Sequence, residues 1–419
     1  MKKHNTVKVV LITLLVFVLL TWILPAAYFS GQYVEQGRVQ MGLFDLLNYP
    51  LTALSYFGYI AFYIIVVGGF YGVLYKIPAY RTFLDKIVEI AKGKEKIVLS
   101  VIVALLAAAV SICGLQMGLI LFIPFVVSLV LMMGYDKIVA AFVTVGSMGA
   151  GLIGTTYASS NISMLTTSLN LDFDYEIGVR FVLLLVGIIL VIFNTLMYIK
   201  KYMVNVKIEK KTIKKSEEKA EEIVEEKKAE KTVAKSNNSS KTKSSSSKKT
   251  NSSKKSSSTK SSKSRKSDNK AALKDEDIIV VKETAYDDEV FIPESVNSKH
   301  SVWPFAAGFI LLLVIMVLAF ISWGDTGFNV KIFDDATKAV TEYKLFKFEI
   351  FGKLLGTVNS FGNWNLIDLF LPIVSVMLLL CVIYKVNIND MFDGFAEGAK
   401  KALYPAFISI LVYTVLVLT

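Results

Sequence analysis

The chain is poor in the residues on which most catalytic and metal chemistry depends. Its 419 residues include only two cysteines and two histidines. Cys113 and Cys381 sit inside separate apolar runs, which suits neither a disulfide framework nor a metal cluster. His4 and His300 lie outside every long apolar run, and no Cys, His or acidic group has metal-ligand spacing. There is no Gly-x4-Gly-Lys-Ser/Thr loop and no Gly-x-Ser-x-Gly elbow, so an ATP-driven pump and a membrane hydrolase are poor readings. Charged side chains are nearly missing from the apolar runs. Asp368, near the end of one run, reads as solvated at an interface, which leaves proton coupling little support.

Apolar sequence is what the chain has in abundance. Hydrophobic residues make up 54% of it, yet its formal charge is +11. Two different polymers produce this pairing. Residues 204–300 hold 24 Lys and Arg against 17 Asp and Glu, so +7 of the +11 sits there. That stretch turns to Ser/Lys repeats from Ser236 to Lys270, cannot bury a core, and reads as a disordered linker. Its lysines could also attract anionic lipid headgroups, but they lack the interleaved aromatics of a nucleic-acid binder.

A bilayer core about 30 Å thick needs about 20 apolar residues per helix. This picks out spans near 7–29, 51–75, 179–199, 302–323 and 366–384. The first could alternatively be a signal peptide ending near Leu24-Pro25-Ala26-Ala27. Ile97–Gly134 is too long for one helix, and its centre softens at Gly114-Leu115-Gln116-Met117-Gly118, which predicts a helical hairpin. Ile138–Leu169 is also overlong and loses hydrophobicity from Thr155, while Leu403–Thr419 is barely one helix. Lys2, Lys3 and Lys8, the group Lys76 to Lys96, and Lys200 to Lys211 mark the cytoplasmic ends, whereas Asp172, Asp174 and Glu176 mark an outer one. The N-terminus and linker are thus expected in the cytoplasm. A weak repeat pairs Tyr75-Lys76-Ile77 and Phe83 with Tyr384-Lys385-Val386 and Phe392.

The richest segment for chemistry is Gly146 to Asn161. Four glycines in nine residues weaken a helix by about 1 kcal/mol each relative to alanine, and Thr155, Thr156, Ser159, Ser160 and Asn161 follow at membrane depth. Irregular backbone there must be buried or line a watery cavity. A discontinuous helix offers N–H groups to an anion, and carbonyls and hydroxyls to Na⁺. The candidate substrate ligands are Gln116, Thr155, Thr156, Ser159, Ser160 and Asn161; the candidate cation ligands are Gly151, Gly154, Ser160 and Asn161. Close packing is the other reading of the glycines, since Gly146, Ala150 and Gly154 recur every four residues. Gln116 could equally bridge two helices, and Ser111 and Ser128 read as bonded back to their own helices.

Several segments resemble the YfcC branch of the C4-dicarboxylate anaerobic carrier (DcuC-type) family of bacterial secondary transporters. They are Thr21-Trp22-Ile23-Leu24-Pro25-Ala26, Gly68-Gly69-Phe70-Tyr71-Gly72-Val73-Leu74, Phe122-Ile123-Pro124-Phe125, Gly134-Tyr135-Asp136, Gly151-Leu152-Ile153-Gly154 leading to Asn161, and Phe392-Asp393-Gly394-Phe395 with Gly398-Ala399. The resemblance implies cation-coupled movement of carboxylates, peptides or amino acids, arginine/ornithine exchange included. The chain departs from it where relatives carry two acids and it has Gln116 and Met117, and where they tend to have proline and it has Ile162. Relatives also continue through a second hairpin, so the second half is expected to be incomplete.

The expectation is therefore an all-α, polytopic transmembrane bundle with a hairpin and a discontinuous helix. It comprises a first half at 1–203, a cytoplasmic linker at 204–300 and a truncated second half at 301–419. Its function would be secondary transport of a small organic anion or amino acid across a bacterial cytoplasmic membrane, not enzymatic catalysis. The alternative is a non-transporting membrane protein that anchors the linker. The partners expected are a small-molecule substrate, the bilayer and a second copy in a homodimer, with no nucleic acid. Na⁺ is the candidate coupling ion, and no other cofactor is expected.

Overall fold

The computed structural model describes residues 3–24, 26–29, 33–37, 40–158, 161–163, 171–172, 175–203, 293, 301–324, 328, 330–344, 353, 356 and 359–418. Apart from Pro293, the linker 204–300 lies outside the described residues, as do Ser159 and Ser160. Residues 1–203 and 287–419 build one compact unit. Among the described residues, six helices are long and apolar enough to cross a membrane: Thr6–Ile23, Phe44–Tyr75, Glu95–Cys113, Ile177–Tyr202, Trp303–Phe320 and Ile388–Leu416. The protein is a multi-pass, helical membrane protein.

Helix α1, Lys3–Ile23, is shorter than the span read at 7–29. It stops just before Leu24, where the following proline disfavours helical backbone, and two short antiparallel strands follow, Ala26–Phe29 paired with Tyr33–Gly37. Helix α2, Leu43–Tyr75, is the central element: 61% of its apolar window is buried, against 6% for α1, so α2 faces protein and α1 faces lipid. Helix α3, Pro78–Ala91, is amphipathic and lays Tyr80, Phe83 and Leu84 on the core. Its Arg81 donates to the carbonyl of Pro293 at 3.0 Å, a buried anchor point eight residues before Ser301.

The expected hairpin is present as α4, Glu95–Cys113, and α5, Ile123–Met132, with a tight 3₁₀ turn at Gly118–Leu121 between them. Leu99, Val130, Tyr135 and Val139 share one cluster, so the hairpin leaves and returns to the same, basic end. The next crossing is built in pieces: α6, Lys137–Ala141, a wider π-helical turn at Phe142–Gly146, and α7, Ser147–Ile153. Helix α8, Ile177–Tyr198, then runs back to the basic end and finishes in a second π-helical turn, Ile199–Met203.

In the C-terminal part, α9 is Trp303–Phe320 and α10 is Ile332–Thr341. The run read as a span at 366–384 gives α11, Phe370–Ile383, only 14 residues and about 21 Å long, which is short of the bilayer core. The amphipathic stretch at 391–401 and the final apolar run instead join into one helix, α12, Ile388–Leu418, 31 residues and about 46 Å long, with Pro405 inside it. Its length follows from its partner. Helix α12 lies antiparallel along α2, with Gly68 and Gly72 facing Gly394 and Gly398, so that the two backbones touch. Phe57 stacks on Tyr413 at 4.5 Å at one end, and Lys76 pairs with Glu397 at 2.9 Å at the other. The two repeat copies lie at this basic end, where Tyr80 and Tyr384 both contact Phe305. They differ locally: Lys76 has helical backbone, whereas Lys385 turns through φ 54°.

Candidate functional site

The hairpin tip is built by glycine. Helix α4 can reverse after Cys113 because Gly114 adopts φ 69°, a left-handed conformation that costs a Cβ-bearing residue about 1–2 kcal/mol, while its N–H still closes on the Val110 carbonyl at 3.0 Å. Two tyrosines of α2 hold the turn that follows. Tyr63 donates its hydroxyl to the Gly118 carbonyl at 3.0 Å, and Tyr71 donates to the Leu121 carbonyl at 2.8 Å.

The crossing opposite begins at a side-chain cap: the Asp136 carboxylate accepts the Val139 N–H at 2.9 Å and the Tyr198 hydroxyl at 2.7 Å. It ends at Ile153, and residues 154–158 are unwound. The buried Ser111 of α4 holds that unwound stretch. Its carbonyl accepts N–H groups from Thr156 at 2.9 Å, Tyr157 at 3.2 Å and Ala158 at 3.2 Å. Its hydroxyl donates to the Gly154 carbonyl at 2.7 Å and lies 3.0 Å from the Thr156 hydroxyl oxygen. Ser111 is therefore bonded across to the broken helix and not back to its own, as its apolar surroundings suggested. Ser128 does bond back, to Pro124. The backbone N–H groups expected to be open to an anion are occupied by Ser111 in this structure.

The two segments are tied together a second time at the tip. Gln116 donates its amide to Asn161 Oδ1 at 2.7 Å, and Asn161 returns an amide to Gln116 Oε1 at 3.4 Å. Both are half-buried. The structure thus brings Gln116, Asn161 and Thr156 to one place. Thr155 is beside them, but its hydroxyl bonds back to the Leu152 carbonyl at 2.7 Å. Ser159 and Ser160, which the sequence adds to the group, lie outside the described residues.

The glycines serve packing. A Cβ on Gly154 would meet the Leu184 backbone of α8 at 2.3 Å, the Cβ of Ala150 lies against Gly187, and Gly146 faces Val191. Gly151 turns instead to α4, where a Cβ would meet the Ala107 carbonyl at 2.5 Å. Of the candidate cation ligands, the Gly154 carbonyl already accepts from Ser111, and the Gly151 carbonyl accepts from Thr155 at 3.3 Å.

One residue escaped the reading of the sequence. Arg180, one turn into α8, donates Nη1 to the Thr156 carbonyl at 3.3 Å and is half-buried. It sets a permanent positive charge beside the unwound segment. A cation within an otherwise apolar span was the available signal. Around this charge the site offers amides and hydroxyls, which donate and accept but do not titrate near neutral pH. Groups of this kind can hold a carboxylate or Na⁺ without exchanging protons.

Comparison with known proteins bears on the same segments. The family model of the C4-dicarboxylate anaerobic carriers, DcuC, matches residues 53–243, which include the hairpin, the broken helix and α8. An uncharacterized protein of Haemophilus influenzae is 28% identical over 143 residues, covering 33% of this chain and 27% of that protein. The match thus spans about a quarter of the curated relative's length. No solved structure matches.

Proposed function

We propose that this chain, which matches the DcuC carriers across its hairpin and broken helix, is a secondary active transporter of a small organic anion or amino acid, of the dicarboxylate, peptide or arginine/ornithine type. The observation that carries the reading is the double tie between the hairpin tip and the unwound segment: Gln116 with Asn161, and Ser111 with Gly154 to Ala158. Two irregular segments meeting at membrane depth form a polar site in a place where lipid tolerates none. Arg180 beside them supports an anionic group on the substrate, and the neutral ligands support Na⁺ over H⁺ as the coupling ion. In this reading the membrane is the bacterial cytoplasmic one, with the N-terminus and the 204–300 linker on the cytoplasmic side. Halves at 1–203 and 301–419 surround the path, and a homodimer is the expected assembly.

The test is flux in proteoliposomes under a Na⁺ or a proton gradient, with labelled dicarboxylates, dipeptides, arginine and ornithine. Asn161→Ala and Gln116→Ala should each raise KM for the transported compound about tenfold or more, as expected when a buried amide partner is removed, with unchanged membrane abundance. Unchanged transport constants in both variants would sink the site. A second reading is a non-transporting protein that anchors the linker. It draws support from the glycines, which packing against α4 and α8 accounts for without a ligand. No flux for any compound, together with loss of function only on deletion of 204–300, would favour it.

A further inference from the structure

We infer that the aromatic cluster at the basic end of the bundle is the inner gate of the transport path, and that the Tyr80 hydroxyl is held unpaired when the gate is shut. This rests on the transport reading above. Its position comes from α2, used as a ruler. Tyr63 meets the hairpin tip at Gly118, Tyr75 ends the helix about 18 Å further on, and Lys76 follows with its Glu397 partner. The rings fill the interval between the tip and the basic end. Tyr80 and Phe83 of α3, Phe125 of α5 and Phe305 and Phe309 of α9 pack with centroids 4.8–6.5 Å apart, and Tyr384 closes the rim 4.9 Å from Phe305. Rings from α3, α5, α9 and the end of α11 therefore meet across the interval, beside those of α2.

Tyr80 is the informative member. It is fully buried, yet its hydroxyl has no hydrogen-bond partner among the described residues, whereas the equally buried Tyr63 and Tyr71 each reach a hairpin carbonyl. A buried phenol is normally bonded, because an unpaired hydroxyl carries its desolvation penalty in full. Phenylalanine would fill the same space without that penalty. The hydroxyl penalises the closed packing alone, since parting α3 from α9, from the hairpin and from the Tyr71 and Tyr75 rings of α2, which also pack on Tyr80 at 6.4 and 5.9 Å, lets water reach it. Helix α3 is well placed to part, as it joins α2 through Lys76 and the extended Ile77, with Pro78 at its first turn.

The two natural cysteines supply the reporter. Replacing Cys381 by Ala leaves Cys113, buried at the end of α4 beside the tip, as the single thiol. In oriented proteoliposomes, a membrane-impermeant methanethiosulfonate is added from the side that carries residues 204–300. Tyr80→Phe should slow labelling of Cys113 about fivefold and raise the melting temperature, as removal of one unpaired hydroxyl predicts. Phe83→Leu, which keeps apolar volume but loses the ring contacts, should speed labelling from the same side only. Labelling in Tyr80→Phe that is unchanged or faster, or a melting temperature that falls, overturns the gate. Labelling as expected in a chain without flux supports the opening of this end and counts against the transport reading alone.

Discussion

The α2–α12 and α7–α8 contacts are both lined by glycines, and they behave differently. Between α2 and α12 glycines face glycines: a Cβ on Gly72 would lie 2.1 Å from the Gly394 carbonyl, and one on Gly398 would lie 2.1 Å from the Gly68 carbonyl. Both helices run through the contact unbroken. Between α7 and α8 the glycines face side chains and backbone of an ordinary apolar helix, and α7 comes apart one residue after Ile153. Glycine content is comparable in the two places, so glycine alone does not break the helix. The difference is the backbone carbonyl of Ser111, in the last turn of α4, which offers the N–H groups of Thr156, Tyr157 and Ala158 an acceptor outside their own helix. Among the described residues, no such acceptor is offered to the α2–α12 seam.

The comparison is most easily broken at the seam. Gly398→Ala should have the largest effect, because the added Cβ meets backbone on α2 that cannot move aside, which puts it at or beyond the upper end of the about 1–3 kcal/mol typical of overpacking. Thermal unfolding in detergent should show a large drop in melting temperature; a normal melt would mean that the seam is looser than the structure has it. Ser111→Ala comes next. It leaves the Gly154 carbonyl without its hydroxyl donor at a cost of about 1–3 kcal/mol, while the Ser111 carbonyl keeps the N–H groups of 156–158 and the Thr156 hydroxyl, so the melting temperature should fall without faster hydrogen exchange at 156–158. Gly149→Ala should have the opposite sign. Nothing lies within 4 Å of the new Cβ, and helix propensity alone gives about 0.5–1 kcal/mol of stabilisation, so a destabilised variant would show that α7 needs glycine for more than packing. Lys76→Met is the smallest, since both partners are exposed. The Lys76 ammonium is held above its usual range mainly by its hydrogen bond to Glu397, so whatever the pair contributes is present at neutral pH and, on the alkaline side, fades above the ordinary lysine range. The difference in melting temperature between wild type and variant should therefore be small and the same at pH 6 and pH 8.

Much of this arrangement was legible in the sequence. Runs of about 20 apolar residues located four of the membrane-length helices, a fifth run gave the 14-residue α11, and the soft centre at Gly114 to Gly118 located the hairpin. The four-residue spacing of Gly146, Ala150 and Gly154 named the face that packs on α8. What the sequence hid depends on partners far along the chain. The lysines and glutamate of 391–401 made that stretch look separate from the apolar run behind it, although its glycines extend one helix along α2. Hydropathy carried the first span past Ile23 into residues that instead form a strand. Ser111 could have bonded in either direction on local grounds; the unwound backbone 43 to 47 residues later decides it. Arg180 was visible as a lone cation in an apolar run, but its neighbour Thr156 was not.

The two tyrosine bonds to the hairpin turn have a mechanical consequence. A single bond between α2 and the turn would act as a pivot, leaving the hairpin free to swing about it. Tyr63 and Tyr71 are eight residues apart and grip both ends of the turn, about 12 Å of lever arm along α2. Two rivets resist torque where one resists only translation. Helix α2, the hairpin turn and the α12 helix locked to α2 are thereby set to rotate as a single body, and relative displacement is left to the helices that no such pair fastens.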